Sequence, residues 1–380
     1  MTPGRHSKHA AESVPGAGSL AELATTIAVT RVARVSGLDR TGVEVACAVR
    51  PLGHILQVSN GKGLTFGDAA RGALLEAAEL HASERPPADL LFTSGRELRR
   101  LAPDRVWSVD RCGSAGRPVK NELNPDEVQQ GWARGKELFS GNLIWAPAQA
   151  LFCPPSTGPW IGPSMLAWTS NGMGAHPRRA WALDHALREA VERHQLARAL
   201  PRGWTRAIAR RRRLSSRAIL QAAPEAHRLR LSLEKRGFSA AVFDLRADIS
   251  LPTAGAWLLD LEAGPIPLTA GYACGLSWSE AIQGAMLEAA QSRLTDIHGA
   301  REDIAPADPG AAAQARLWER DRPSVTRRLT EPRSPRRVKS VLAALRASGY
   351  PEAAVFELGN YAGARVVKAV VPGFQISHLL

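Results

Sequence analysis

The chain has 380 residues, a formal charge of +13 and a pI near 10.4, enough length for a large core and a charge that favours anionic partners. No apolar run reaches the ~18 residues of a membrane span, no apolar signal core opens the chain, and Cys47, Cys112, Cys153 and Cys274 form no CxxC pair. Composition therefore argues against a membrane protein, a disulfide framework or a structural zinc, and predicts reduced thiols and a cytoplasmic location.

Residues 1–18 are rich in Gly, Ser, His and Pro without periodicity and are expected to be flexible. Residues 19–380 read as one large domain with lobes at about 19–150 and 151–380. Residues 30–35 and 43–49 read as strands joined by a short turn, and residues 55–59 as a third. Asn60-Gly61-Lys62-Gly63 then reads as a glycine turn that sets Lys62 ahead of a helix over residues 67–82. The stretch 88–140 reads as irregular, and 142–152 as a strand. A second glycine turn, residues 170–177, opens a central helix. Helical periodicity returns over 216–237, followed by strands over 240–244, 251–261 and 266–272 and a third helix. Residues 305–337 read as a charged, proline-punctuated surface excursion, 338–347 as a short helix, and 354–358 and 364–371 as closing strands. This order predicts an α/β or α+β fold with mixed or antiparallel sheets.

Two arginine clusters stand out, Arg210 to Arg213 and the segment from Arg327-Arg328 to Arg336-Arg337. Neither is interleaved with aromatic residues as a nucleic-acid reader would be, so both read as solvated basic loops and nucleic acid is not the expected partner.

The chemistry concentrates in three look-alike helices. In the central one, Leu183, Leu187 and Val191 make an apolar stripe, while Glu189, Glu192 and Arg193 fall on the opposite side. The pattern returns in Ala73-Leu74-Leu75-Glu76-Ala77-Ala78-Glu79 and in Ala285-Met286-Leu287-Glu288-Ala289-Ala290-Gln291. Eight residues upstream the outer copies carry Asp68 and Glu280, and the central copy carries Trp181. One copy would read as a solvated face with a Glu189–Arg193 pair. Three copies predict helices converging on a carboxylate-rich pocket, where divalent cations could hold phosphate between acids. His81, His185, His194 and His298 lie near these helices without a repeated ligand spacing and are assigned no role.

With these residues in view, the chain resembles the YcaO family. The matching segments are Thr30-Arg31-Val32-Ala33 with Gly37-Leu38-Asp39, Gly61-Lys62-Gly63, Glu76 with Glu79, and Ser170-Asn171-Gly172 with Glu189, Glu192 and Arg193. Glu288 to Leu294 and Gly299 to Asp303 complete the set, so the resemblance spans about residues 28–305. It implies a YcaO-like fold and ATP-dependent modification of a peptide backbone amide. The carbonyl oxygen is phosphorylated, and phosphate leaves after attack by a side chain or by sulfide, giving an azoline or a thioamide in a ribosomally made precursor peptide. It further implies that Glu76, Glu79, Glu189 and Glu192 bind Mg2+, and that Lys62, Arg193, Gln291, Arg293 and Arg301 complete an ATP site. A separate partner is expected (TfuA-like, E1-like or leader-binding), as is a possible homodimer.

The chain also departs from the family pattern. Gly72 and Leu80 stand where a Ser and an Arg are usual, Ala175 and Pro177 where a Ser and an Asn are, and Trp181 where an acid is. These departures imply a thinned Mg2+ shell with an indole beside Glu192, and an alternative role as a peptide-binding or scaffolding subunit. Pro372-Gly373-Phe374 and the run Gln291 to Arg301 look more like the thioamide-forming, TfuA-associated branch than the azoline branch.

Overall fold

A computed structural model describes residues 19–119, 123–153, 160–262, 264, 266–301, 309–323, 325, 329–330 and 337–377. The segment 1–18, Glu302 with Asp303, and the second arginine cluster up to Arg336 lie outside the described residues.

In chain order, helix α1 (Leu20–Thr26) leads into β1 (Arg31–Arg34), β2 (Glu44–Val49), β3 (Val58–Gly63) and the long helix α2 (Phe66–Ser83). Then come β4 (Leu91–Ser94), α3 (Gly95–Leu101), β5 (Gly116–Pro118), β6 (Gln129–Glu137), β7 (Leu143–Pro147), β8 (Leu166–Trp168), β9 (Met173–His176) and α4 (Arg179–Ala199). Helices α5 (Arg206–Arg212), α6 (Ser216–Ala222) and α7 (Pro224–Glu234) precede β10 (Phe238–Asp244), β11 (Thr253–Asp260), β12 (Leu268–Cys274) and α8 (Trp278–His298). Helices α9 (Pro309–Trp318) and α10 (Arg337–Ala347) and the hairpin β13 (Ala354–Tyr361) and β14 (Ala364–Val370) close the fold.

Three antiparallel sets carry the long helices: β1-β2-β3 before α2, β10-β11-β12 before α8, and β13-β14-β9 before α4 within a six-stranded sheet. Each helix packs on the strand that precedes it, α2 on β3, α4 on β9 and α8 on β12. Each also touches the strand of the next set, α2 meeting β9, α4 meeting β12 and α8 meeting β3. These contacts close a three-fold ring, the structural source of the triplicated sequence pattern. Among the described residues no helix is long and apolar enough to cross a membrane.

The first segment read as a glycine turn is strand β3, while the second keeps its turn at Asn171-Gly172, with Gly172 at φ 77°, and runs on as strand β9 from Met173. Gly61 and Gly174 permit a close approach of backbone to helix: a Cβ on Gly61 would lie 2.0 Å from the Ala69 carbonyl oxygen, and one on Gly174 2.2 Å from that of Ala182. Alanines facing the glycines bring helix and strand together, and packing overrides glycine's preference for turns. The stretch 88–140 is also more ordered than its sequence suggests. It holds β4, α3 and the nine-residue strand β6, whose Trp132 is buried with its indole N–H donating to the Thr93 carbonyl at 3.0 Å.

The region 305–337 is not simply a surface excursion. Helix α9 buries Ala312 and Ala315 in the cluster around Trp257 and Phe243, and Arg316 donates to the Asp260 carbonyl at 2.9 Å. Nor is the first arginine cluster simply solvated. Arg212 donates to the carbonyls of Asp244 and Arg246, each at 2.9 Å, and Arg213 donates to that of Glu319 at 2.8 Å, so both fasten α5 to the body.

Candidate functional site

The ring encloses a cavity of about 1230 Å3, lined by α2, α4 and α8 with β3, β9 and β12. Along α4 the lining residues are Trp181, Asp184, His185, Arg188, Glu189, Glu192 and Arg193, one stripe at helical spacing opposite the buried Leu183, Leu187 and Val191. Helix α2 contributes Glu76 and Glu79, and α8 contributes Glu288 and Gln291. Lys62 from β3 and Arg301 beyond α8 also reach the cavity.

Charge is crowded here. The Lys62 Nζ lies 2.6 Å from the Glu288 Oε2. Arg193 sits 3.9 Å from Glu189 and 3.7 Å from Glu192, and Arg301 sits 3.7 Å from Glu76. Glu76 accepts from the Asn60 backbone N–H at 2.7 Å and Glu288 from that of Tyr272 at 3.3 Å, so strand amides orient a glutamate of the helix packed on them. Gln291 donates to the Asn60 carbonyl at 3.0 Å, while Asn60 donates to Thr295 at 2.8 Å.

Burial sets the electrostatics. It pushes Glu189 up to about 7, with Arg193 opposing and Glu288 and Glu76 adding to the rise. It pushes Glu192 up to about 8, again against Arg193. Glu79 is raised well above the carboxylate range by burial and by the nearby Glu189 and Glu76. Burial acts on Glu288 too, but Lys62 and Arg193 more than offset it and hold its carboxyl below the usual value. Beneath the wall, fully buried Lys368 donates to the Thr169 carbonyl at 2.6 Å, and burial lowers it to about 7 despite Glu189. The cluster is a set of acids that mutual repulsion and desolvation keep from ionising together, which a divalent cation would reverse.

The donor chemistry fits Mg2+ held jointly with phosphate. Among the described residues, no three His, Cys, Asp or Glu side chains converge to enclose a bare metal ion. Mg2+ asks for less, since it keeps several waters and takes one or two carboxylates plus substrate phosphates.

Eight of the nine residues expected from the sequence line this cavity: Lys62, Glu76, Glu79, Glu189, Glu192, Arg193, Gln291 and Arg301. The ninth, Arg293, is a correction. It lies on the other face of α8, 1% exposed, with Nε 2.8 Å from Asp39 and Nη2 2.8 Å from Asp260. Its guanidinium ties β11 and the loop after β1 to α8 and does not face phosphate. Glu288 was missed as a site residue although it holds the position in α8 that Glu76 and Glu189 hold in their helices. Asp184 carried no signal, because no sister helix has an acid there.

The upstream acids sit at helix starts, and of the two Glu280 also lines the cavity. Asp68 and Glu280 stand in the first turns of α2 and α8, where Thr65 and Ser277 cap their backbone N–H groups at 3.2 Å. Glu280 also accepts from the Leu276 N–H at 3.0 Å, which ties the residue before the Ser277 cap to the first turn. Trp181 occupies the matching turn of α4, which has no side-chain cap. It is not beside Glu192, since eleven residues of helix separate them by about 16 Å. The indole lies at the cavity rim, stacked on His176 at 5.1 Å between ring centroids, with the Arg337 guanidinium carbon 3.4 Å from its centre. Gly72, Leu80 and Ala175 do line the cavity, while Pro177 is not among its lining residues.

Known proteins share this architecture. An uncharacterized protein of Methanothermobacter thermautotrophicus is 29% identical over 372 residues, covering 92% of this chain and 90% of its own length. An uncharacterized protein in the tfuA 3′ region of Rhizobium leguminosarum bv. trifolii is 27% identical over 378 residues, covering 92% of this chain and 84% of its own. Among solved structures, YcaO from Methanopyrus kandleri bound with AMPPCP and Mg2+ superposes with a TM-score of 0.70 at 20% identity, covering 93% of this chain and 88% of that one. A heterocyclase in complex with substrate and cofactor also gives 0.70, at 18% identity, over 92% of this chain and 50% of that one. The model of the family described as YcaO cyclodehydratase, ATP- and Mg2+-binding, matches residues 60–375, and the chain belongs to the YcaO family.

Proposed function

We propose that this chain is an ATP- and Mg2+-dependent enzyme that activates a backbone amide of a ribosomally made precursor peptide. The observation that carries this reading is the convergence of Glu76, Glu79, Glu189 and Glu192 from two helices, with Lys62, Arg193 and Arg301, on one cavity. Mg2+ bound by these carboxylates would neutralise the triphosphate and draw charge from the transferred phosphoryl group. Lys62, Arg193 and Arg301 offset charge on the phosphate oxygens, and the strand amides of Asn60 and Tyr272 hold Glu76 and Glu288 in place.

In the reaction the amide carbonyl oxygen takes the γ-phosphoryl group and ADP leaves. A thiol, hydroxyl or sulfide then adds to the activated carbon, and phosphate departs carrying the former carbonyl oxygen. The product is an azoline when the nucleophile is a peptide side chain and a thioamide when it is sulfide. The ending Pro372-Gly373-Phe374 and the relative from the tfuA region favour the thioamide product and a TfuA-like partner.

Incubation with Mg-ATP, a candidate peptide, a sulfide source and a TfuA-like protein, read by mass spectrometry, tests this. Exchange of oxygen for sulfur supports the thioamide and loss of water the azoline. Unchanged peptide with no phosphate release would favour the scaffolding role instead.

A further inference from the structure

We propose that His185 is the general base of the reaction, the imidazole that takes the proton of the nucleophile attacking the activated amide carbon. The inference rests on the proposed amide activation and adds to it a group that the carboxylates of the ring do not supply.

Other histidines near the site helices spend a ring nitrogen on the protein. His81 meets the Arg85 Nη1 at 3.1 Å, and His176 accepts from the Arg178 backbone N–H at 2.9 Å. His194 accepts from the backbone N–H of Gln375 at 3.1 Å and His298 from that of Ala300 at 3.0 Å. His185 has no hydrogen bond, ion pair or ring contact among the described residues. It is exposed, and it stands in the cavity wall, so the surface it offers is cavity surface. A histidine kept for the core is buried and hydrogen-bonded, and this one is neither.

Its place fits the task. The matching positions of α2 and α8 carry Gly72 and Gly284, which also line the cavity, so the ring is cleared around one imidazole. On α4, His185 stands one turn after Trp181 at the rim and one turn before Glu189, about 6 Å along the axis from each. A peptide amide reaching from the mouth to a phosphoryl group held at Glu189 and Glu192 passes beside it. The charged and titratable groups that face it are Arg188 on its own helix, Lys62 from β3, His176 from β9 and Glu288 from α8. Burial within the ring, then Arg188, Lys62 and His176, lower it to about 4 against Glu288, so the imidazole is neutral at neutral pH with its lone pair free. Phosphate drawn to Lys62 cancels part of that positive field and makes the imidazole a stronger base.

In the step itself, hydrosulfide adds to the O-phosphorylated amide carbon and the C–S bond forms. The imidazole takes the remaining S–H proton while C=S forms, the C–O bond breaks and phosphate leaves with the electron pair. The imidazolium then protonates the phosphate. A peptide thiol or hydroxyl gives its proton to the same imidazole as it adds, and the amide N–H proton leaves with phosphate as C=N forms.

The test uses the peptide that the wild type modifies in the mass-spectrometric assay, with His185→Ala and His185→Gln at saturating Mg-ATP. Both variants should melt and bind AMPPCP with Mg2+ as the wild type does, while turnover falls by about a hundredfold or more. Added imidazole should restore His185→Ala in proportion to its unprotonated fraction and leave His185→Gln inactive, since the new side chain fills the space. Diethyl pyrocarbonate, which acylates open, neutral imidazoles, should modify His185 of the peptide-free wild type. Wild-type turnover in His185→Ala, a loss that imidazole does not recover, or an unmodified His185 overturns the base and leaves amide activation standing. A wild type that is acylated at His185 but modifies no peptide overturns amide activation, and the base with it.

Discussion

The Lys62 ammonium and the Glu288 carboxylate, 226 residues apart, meet at 2.6 Å across the seam between β3 and α8. The pair joins the first and third units of the ring, and Lys62 is what keeps Glu288 ionised beside the acids of α4. Replacing Lys62 by Met should weaken Mg-nucleotide binding by about tenfold, or about 1.4 kcal/mol. Calorimetry with AMPPCP and Mg2+ checks this, and unchanged affinity would remove Lys62 from the site.

Glu189→Gln and Glu192→Gln should each abolish peptide modification while leaving the fold intact. Both side chains are already driven toward the neutral form by burial, so the amide costs the metal-free protein little. Mass spectrometry of the peptide reads the first effect and a thermal melt the second. Full product yield from either variant contradicts the assignment.

The pH dependence follows from the same two groups. Burial raises Glu189 from 4.5 to about 7 and Glu192 from 4.5 to about 8, with Arg193 opposing and Glu288 adding to the rise. A carboxyl raised on folding stabilises the fold fully below its unfolded value, and this contribution is lost as pH rises through the folded values. Metal-free protein should therefore lose thermal stability between about pH 5 and 8, and saturating Mg-nucleotide should reverse that loss. Binding should also release protons and tighten as pH rises to about 8. Titrations in two buffers of different ionisation heat measure the release, and a pH-independent affinity without proton release would count against carboxylate ligation.

Arg293 makes the opposite prediction. Its guanidinium is buried between Asp39 and Asp260, so Arg293→Met strands two carboxylates and should cost about 3–5 kcal/mol. Denaturant unfolding reads this. Mg-nucleotide affinity of the folded fraction should stay within about twofold, and a selective loss of affinity at normal stability would return Arg293 to the site.

Phe374 is fastened to α4. Phe374 stacks on the His194 ring at 4.3 Å between centroids, and the Gln375 N–H donates to the His194 Nδ1 at 3.1 Å. The other ring nitrogen of His194 lies 2.8 Å from the Tyr350 hydroxyl and 3.2 Å from Asp248. Phe374→Ala should lower stability by about 3 kcal/mol, read by thermal unfolding.

Helical spacing was legible in the chain itself: Glu76 with Glu79 and Glu189 with Glu192 face one way because residues three apart share a side, and the alanine-rich repeat marks three related helices. Spacing also placed Leu183, Leu187 and Val191 in the core. It could not say which element faces which. Arg293 follows Gln291 by two residues and therefore turns away from the cavity, a consequence of helix rotation that a motif match overlooks. Gly61 and Gly174 read as turn residues because local preference is all a sequence window sees, yet tight packing against Ala69 and Ala182 made them strand residues. The pairing of Lys62 with Glu288 arose only when the three units closed into a ring. Periodicity orders side chains around one axis, and only tertiary packing sets one axis against another.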